Sequence, residues 1–294
     1  MRMQSIATLI LICLSTAAAM AEISSESCSA SSLTFSWNQA CVCKRQVIKA
    51  NWAEKKGKEL DSYSWGDLRD EQVVFIGDEH GYSDPKAILN LITRLKPASK
   101  KKCLLFEMAS SKSVKEFTDM LVVRSGDKEI DRLRDYYNRI LQGAKNLGLT
   151  PQLVDHPQNL GDQSLSDHVR DKAIAENIIS LFKTGKCDHA VMVIGKAHVG
   201  KEYFGSKNAK QLVAAKLSAT SINLMFAKET TDTTSDYSWN GLCSDKKTTQ
   251  FTPKKPIIFA NSGISEEQVF PNNSSFIRYG AFDYTVMFPT STFK

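Results

Sequence analysis

Four short apolar segments of this chain each end on ionisable residues. They are VVFI before Gly77, Asp78, Glu79 and His80; CLLF before Glu107; PQLV before Asp155 and His156; and VMVI before Gly195, Lys196, Ala197 and His198. In an open α/β sheet the carboxyl ends of parallel strands meet along one edge, which is where such sheets bind ligands. The sequence therefore predicts a single site assembled from four strand ends.

Imidazole and carboxylate groups at neighbouring strand ends can activate a water molecule. A histidine can act as the general base, and a carboxylate such as Glu107 can orient it and set its tautomer. Two histidines and a carboxylate are also the usual minimum for a catalytic metal with an open position. His80, Glu107 and His198 are therefore the principal candidates, with Glu79 as an addition. The residues themselves do not distinguish direct from metal-assisted activation.

A second set of residues is predicted to bind substrate: Asp155, His156, Arg170 and Tyr82. Each has an alternative explanation. Asp155 and His156 precede Pro157 and are equally typical of a turn. Arg170 could reach an anionic substrate group or form a surface salt bridge, and Tyr82 could be a core or rim residue.

The candidate catalytic residues have alternatives too. Glu79 could cap a helix, and Glu107 could form a structural salt bridge because a buried carboxylate needs a partner. The glycine of each Gly-x-x-His segment is expected to let the chain turn sharply as it leaves its strand. His189 opens the strand that His198 follows, and at about 3.3 Å per residue the two should lie on opposite sheet edges. We therefore predict no function for His189.

Strand and helix patterns alternate along the chain from residue 71 onward. Predicted strands are 73–77, 103–107, 151–155, 190–195 and 220–227, with further strands at 257–260 and 281–289 at a sheet edge. One predicted helix starts at Asp84-Pro85 and is stopped by Pro97. Four more cover 113–124, 129–147, 164–184 and 207–217. Apolar strands separated by helices of this length indicate an α/β fold, with a mainly parallel β-sheet and helices on both faces.

The chain divides into three predicted parts. Residues 1–21 combine a charged start, an apolar stretch and a small-residue cleavage site, which is typical of a secretory signal peptide. Residues 22–70 form an N-terminal extension with a helix near 44–60, and 71–294 form the α/β domain, with a long polar loop at 228–255. We expect a periplasmic or extracellular protein without a transmembrane segment, since no later run reaches the roughly 20 apolar residues that a bilayer requires.

The charge, the cysteines and one absent motif indicate which classes of protein this chain does not resemble. The net charge of +6 is mild, and no basic stripe interleaved with aromatics indicates nucleic-acid binding. Six cysteines follow the signal peptide, and an even count in an exported protein favours disulfides. Cys103 and Cys187 each precede a strand, so we expect them to pair at the edge away from the site. No Gly-x-Ser-x-Gly elbow is present, which argues against a serine hydrolase of the α/β type.

The motifs resemble a known superfamily. VVFIGDEHG, LLFEM, RDKAIAENI, VMVIGKAHVG and FDYTVMFP are similar to segments of the superfamily that joins erythromycin esterases, ChaN-type haem-binding proteins and the Tiki/TraB proteins. Its signature is a paired Gly-x-x-His with a glutamate between, and the resemblance covers residues 71–289. By position, His80, Glu107 and His198 match the core motif, Glu79 is an addition, and Arg170 matches the arginine of the helix before the second histidine.

The resemblance implies an EreA/ChaN-like fold and leaves the activity open. Erythromycin esterase-like members hydrolyse a lactone with His and Glu activating water, Tiki-like members are regarded as metal-dependent proteases, and ChaN-like members bind haem iron. We expect an exported hydrolase acting on an ester or amide in a small-molecule or peptide substrate. A divalent metal (Mn, Co or Zn) at His80, Glu107 and His198 is one option. The alternative is a haem- or iron-binding protein without hydrolytic activity.

Overall fold

A computed structural model describes most of the chain after residue 55. It covers residues 56–78, 83–96, 99–158, 165–202, 207–228, 253–261, 269–272, 275–278 and 282–290. The strands are β1 Lys58–Glu59, β2 Val73–Asp78, β3 Lys102–Ala109, β4 Thr150–Asp155, β5 His189–Gly195, β6 Lys201–Glu202, β7 Ala219–Lys228, β8 Ile257–Ala260, β9 Val269–Asn272, β10 Ser275–Arg278 and β11 Tyr284–Thr290. The helices are α1 Gly66–Asp70, α2 Pro85–Leu95, α3 Val114–Val122, α4 Lys128–Asn146, α5 Asp167–Lys183, α6 Ala197–Gly200 and α7 Ala209–Ala214.

The main sheet has eight strands in the order β1-β8-β11-β7-β2-β5-β3-β4. The six strands from β11 to β4 are parallel to one another, while β8 pairs antiparallel with β11 and with β1. The predicted α/β class with a mainly parallel sheet is confirmed. Strands β2, β5, β3 and β4 are consecutive neighbours, so the four segments singled out by sequence do end along one edge, here called the carboxyl edge. A second, three-stranded sheet has the order β6-β10-β9.

The helices begin and end where the sequence places their caps. Asp84 caps α2 by accepting from the backbone N–H of Lys86, and Pro85 occupies the first helical turn. Ser113 forms a capping box at the start of α3. After α4, Gly148 adopts a φ of 73°, a left-handed conformation that favours glycine. These local signals explain why the predicted and observed helix boundaries agree within a few residues.

Apolar side chains cover both faces of the sheet. On one face, α2, α3 and α4 pack over Val74, Ile76 and Phe106. On the other face, α5 and α7 pack over Phe75 and Leu105. Alternate residues of one strand thus enter different cores, which is why these strands are apolar throughout instead of alternating with polar residues.

A disulfide bond joins Cys103 to Cys187 across 84 residues, as predicted. Cys103 lies near the start of β3, and Cys187 lies two residues before β5. The bond therefore lies at the amino edge of the sheet, opposite the predicted site.

Two predicted elements differ from the structure. Strand β11 is not at a sheet edge, because it lies between β7 and β8 and is parallel to β7. Lys58 and Glu59 form β1 instead of the end of a helix, because they pair with Ile257 and Ile258 of β8. Residues 44–55 of that predicted helix, and residues 229–252 of the predicted loop, lie outside the described residues. Among the residues that the structure describes, no helix is both long and apolar enough to span a bilayer.

Candidate functional site

Four of the predicted site residues lie in one buried cluster at the carboxyl edge. They are Glu107 of β3, Asp155 of β4, Arg170 of α5 and His198 of α6, and they are joined by ion pairs. Glu79, His80 and Tyr82 lie outside the described residues. The cluster exists because three strands end at the same level and helix α5 starts above them.

The described contacts locate the end of β2, two residues before His80 in the sequence. Asp78, the last residue of β2, pairs in register with Gly195, the last residue of β5. The backbone N–H of Lys196 donates to the carbonyl oxygen of Asp78 at 3.1 Å. The two chain segments that lead to His80 and His198 therefore leave the sheet side by side.

The His198 ring lies between two carboxylates. Its Nε2 is 3.0 Å from Glu107 Oε1, and its Nδ1 is 2.6 Å from Asp171 Oδ1. The side chains are buried, with His198 only 3% exposed. Burial by itself lowers the pKa of the ring, but the charge of Glu107 and the hydrogen bonds to Asp171 and Glu107 outweigh this and raise the pKa from 6.5 to about 10. His198 is therefore an imidazolium at neutral pH, with both nitrogens donating.

The Arg170 guanidinium bridges two other strand ends. Its Nη2 donates to Asp155 Oδ2 at 2.6 Å and also to Glu107 Oε1, while its Nε is 3.2 Å from Asp155 Oδ2. Burial opposes the charge, but Asp155 and Glu107 hold the pKa of Arg170 above its usual value. Arg170 thus ties β3 to β4 and fixes both carboxylates.

Backbone contacts complete the cluster. Glu107 Oε2 accepts from the backbone N–H of Gly195 at 2.9 Å, so both oxygens of this carboxylate are acceptors, as expected for the ionised form. The register between β3 and β4 shifts between Phe106 and Ala109, which places a β-bulge at Glu107 and Met108. This irregularity falls where β3 reaches the site.

Two tyrosines of α4 reach the same edge from the other face of the sheet. The Tyr136 hydroxyl donates to Asp78 Oδ2. Burial, together with the charges of Glu107 and Asp78, raises the pKa of Tyr137 well above its usual range. The Tyr137 hydroxyl therefore stays protonated at neutral pH, while the single proton of the Tyr136 hydroxyl is directed at Asp78.

The described members of the predicted metal site do not fit a metal ion as they are arranged. A metal needs an unprotonated histidine nitrogen, but both nitrogens of His198 donate to carboxylates. The Arg170 guanidinium contacts the oxygen of Glu107 that a cation would bind. Within the described ranges, no group of three or more His, Cys, Asp or Glu side chains is placed to hold a metal.

His156 has a local role in the chain after β4. Its Nδ1 accepts from the backbone N–H of Gln158 at 3.2 Å, which is turn chemistry. Asp155 and His156 therefore have different roles, since Asp155 pairs with Arg170 and His156 shapes the turn.

His189 begins β5 at the opposite edge of the sheet. It is 3% exposed, and neither ring nitrogen has a hydrogen-bond partner among the described residues.

Gly77, the glycine of the first Gly-x-x-His segment, does not make the sharp turn that the sequence predicts, because it lies inside β2 and has no positive φ. A Cβ atom at Gly77 would lie 2.6 Å from the Phe282 ring. Glycine is required there because a buried aromatic ring packs directly on the strand.

Sequence reasoning missed Asp171, Tyr136 and Tyr137 as members of the cluster. Asp171 directly follows Arg170 and is fully buried in the first turns of α5. A charged pair on an otherwise apolar helix face was the available signal for Asp171. The tyrosines look like ordinary core residues of α4, and only the tertiary structure shows that they approach Asp78 and Glu107.

Comparisons with known proteins identify no family. No family model matches the chain, and no curated protein matches it. Among solved structures, a Bacillus cereus protein is 12% identical, with coverage of 88% of this chain and 100% of that one and a TM-score of 0.46. The type III effector HopBA1 is 18% identical, with coverage of 54% and 79% and a TM-score of 0.39.

A third solved structure is the C-terminal region of Pasteurella multocida toxin, described as having a thiol-protease-like catalytic triad. It is 12% identical, with coverage of 65% of this chain and 28% of that chain and a TM-score of 0.42. Since all three identities and TM-scores are low, nothing about the function of this chain is inferred from these likenesses.

Proposed function

We propose that this protein is an exported hydrolase of ester or amide bonds, of the erythromycin esterase/ChaN-like type, whose site is the carboxyl-edge cluster. The observation that carries the proposal is the His198 ring held between Glu107 and Asp171 beside the end of β2. A buried imidazolium at the ligand-binding edge of an α/β sheet is a typical proton donor for catalysis.

We assign the proton-transfer steps by protonation state. His198 carries a proton at neutral pH, so it serves as the general acid, and the general base is His80 of the first Gly-x-x-His segment. His80 takes a proton from water as the water oxygen attacks the substrate carbonyl carbon. The bond from that carbon to the leaving oxygen or nitrogen then breaks, and the leaving atom takes the Nε2 proton of His198, which Glu107 accepts as a hydrogen bond when no substrate is bound.

The remaining charged groups position this acid. Glu107 and Asp171 hold the ring and favour its charged form, and Arg170 keeps Glu107 and Asp155 in place. The Tyr136 hydroxyl holds Asp78 at the end of β2, and the Tyr137 hydroxyl lies near enough to Glu107 for its charge to raise the pKa of this tyrosine. Glu79 and Tyr82 stay candidates from the sequence.

Export is supported by the cysteine chemistry. The Cys103–Cys187 bond is typical of proteins that fold in an oxidising compartment. Together with the signal-like segment 1–21, it favours a periplasmic or extracellular location.

The metal- and haem-binding alternatives require different chemistry at His198. A histidine that ligates a metal or haem iron must present an unprotonated nitrogen. The two carboxylate contacts of His198 favour the protonated ring instead. This favours metal-free activation of water over a divalent metal or haem, and elemental analysis with a visible spectrum distinguishes the three.

The experiment uses the purified protein with p-nitrophenyl acetate as the ester and the corresponding anilide as the amide. His80→Gln, His198→Gln and Glu107→Gln should each lower kcat/KM by at least about 100-fold, the range for loss of general acid–base catalysis. His189→Gln is the matched control and should retain activity, because His189 lies at the opposite edge. A protein that hydrolyses neither substrate and shows a Soret band would overturn the proposal in favour of haem binding.

A further inference from the structure

The exposed large apolar side chains of the described residues are concentrated in a few places. They are Val122, Val123, Ile130, Leu133 and Val169, with exposures of 65%, 57%, 45%, 36% and 42%. Four of them lie in α3, in α4 or just after α3, and the fifth lies in the first turn of α5. These five residues are here called the apolar rim.

The apolar rim stands above the carboxyl edge. Helix α4 connects the end of β3 to the start of β4, and these strands are parallel, so α4 begins at the carboxyl edge and runs back. Tyr136 is level with that edge, because its hydroxyl contacts Asp78 at the end of β2. At about 1.5 Å per residue, Leu133 and Ile130 lie roughly 4.5 and 9 Å beyond Tyr136 along the helix axis.

The rim continues into the buried cluster. Ile130, Leu133 and Tyr137 have the i, i+3, i+7 spacing of one helix face. Exposure falls along that face to 5% at Tyr137, and the charge of Glu107 contributes to the raised pKa of this tyrosine. On the other side of the cluster, Val169 directly precedes Arg170. One apolar helix face thus leads from solvent toward the charged groups.

Two ion pairs lie beside the rim. Arg124 contacts Asp135 at 2.9 Å, and Arg134 contacts Asp131 at 3.7 Å. Arg134 also donates to the carbonyl oxygen of Val123, which holds the end of α3 against α4. Because the opposite charges of these two pairs offset each other, the surface beside Ile130 and Leu133 favours an uncharged group.

We infer that the apolar rim binds an uncharged aliphatic group of the substrate, so that the hydrolysed bond belongs to an ester or amide with a medium-length acyl chain. This inference rests on the proposed hydrolytic function and names its substrate class. The acyl chain lies along Ile130 and Leu133, with its carbonyl group directed toward Tyr137 and the cluster.

The test compares p-nitrophenyl acetate with p-nitrophenyl octanoate. A buried methylene favours binding by up to about fourfold, so the added methylenes on this half-exposed surface should raise kcat/KM at least about tenfold. The Ile130→Ser/Leu133→Ser double variant should lose that preference while its activity on the acetate stays unchanged. The control is Gln142→Ser/Lys145→Ser, whose residues are exposed at the other end of α4 and should not affect either ester.

The outcomes separate this inference from the proposed function. Equal kcat/KM for both esters in the unmodified protein, or a preference for octanoate that survives in the double variant, would overturn the inference and leave the hydrolase proposal intact. If neither ester is hydrolysed, calorimetric binding of N-octylacetamide decides: saturable binding lost in the double variant supports the inference, and no binding overturns it. A dimer in light scattering that the double variant dissociates would assign the rim to self-association instead.

Discussion

Raising the pH should weaken the fold specifically through His198. The folded-state pKa of His198 is about 10, against 6.5 for the ordinary side chain. Because the pKa is raised on folding, this stabilisation is fully present below pH 6.5 and is lost as the pH rises through 10. The shift of about 3.5 units corresponds to about 5 kcal/mol, at about 1.4 kcal/mol per unit.

The assay is urea unfolding of the unmodified protein and of His198→Gln at several pH values from 6 to 10. The free energy of unfolding of the unmodified protein should fall, relative to that of the variant, by about 1.4 kcal/mol for each pH unit between 6.5 and 10. Taking the difference removes the contributions of lysines and tyrosines that titrate in the same range. Nitrogen-15 spectra of the histidine rings should show both nitrogens of His198 protonated at pH 8.

Two results would refute this reasoning. One is a difference in free energy of unfolding between the two proteins that does not change with pH, and the other is a His198 ring that titrates near 6.5. Either result would also remove the general-acid assignment, because His198 would then be neutral at physiological pH and available as a base. The Asp171→Asn variant provides a second check. Removing one of the two carboxylates that contact the ring should lower the pKa of His198 and shift the alkaline loss of stability to lower pH.

Three further predictions concern stability. Burial, with Lys102 nearby, lowers the pKa of His189 to about 4. The free energy of unfolding should therefore fall by about 3 kcal/mol as the pH drops from 6.5 to 4. The His189→Leu variant should lose this acid dependence in urea titrations. Reduction of the Cys103–Cys187 bond should cost about 4–5 kcal/mol for a loop of 84 residues, seen as a lower Tm in dithiothreitol. Gly77→Ala should cost about 1–3 kcal/mol, because the new Cβ meets a buried aromatic ring.

An acid dependence retained in His189→Leu would place the titrating group elsewhere. A Tm unchanged by reduction would argue against the disulfide. For the glycine, Gly66→Ala is the matched control, since its nearest neighbouring atom is 3.9 Å from the added Cβ. Equal stability of the two alanine variants would show that the strand at Gly77 is not closely covered.

The shared edge of the four strands was predictable from the sequence for a physical reason. Strands covered by helices on both faces must be apolar throughout, so ionisable residues can follow only where the strand leaves the core. Glu107, Asp155 and His198 mark such points, and the contact between Glu107 and His198 follows from the parallel pairing of β3 and β5. Local caps such as Asp84 and Gly148 were visible for the same reason, because they satisfy or permit backbone geometry within a few residues.

What the sequence by itself determined is therefore the α/β pattern and the set of residues that reach one edge. Only the tertiary structure decided their partners: it placed Asp171 against His198, Tyr136 against Asp78 and β11 inside the sheet. The charge state of His198 also depends on these distant neighbours, because a pKa is set by burial and by charges a few ångströms away in space. Sequence spacing carries no information on those distances, since they arise only when separate helices and strands pack together.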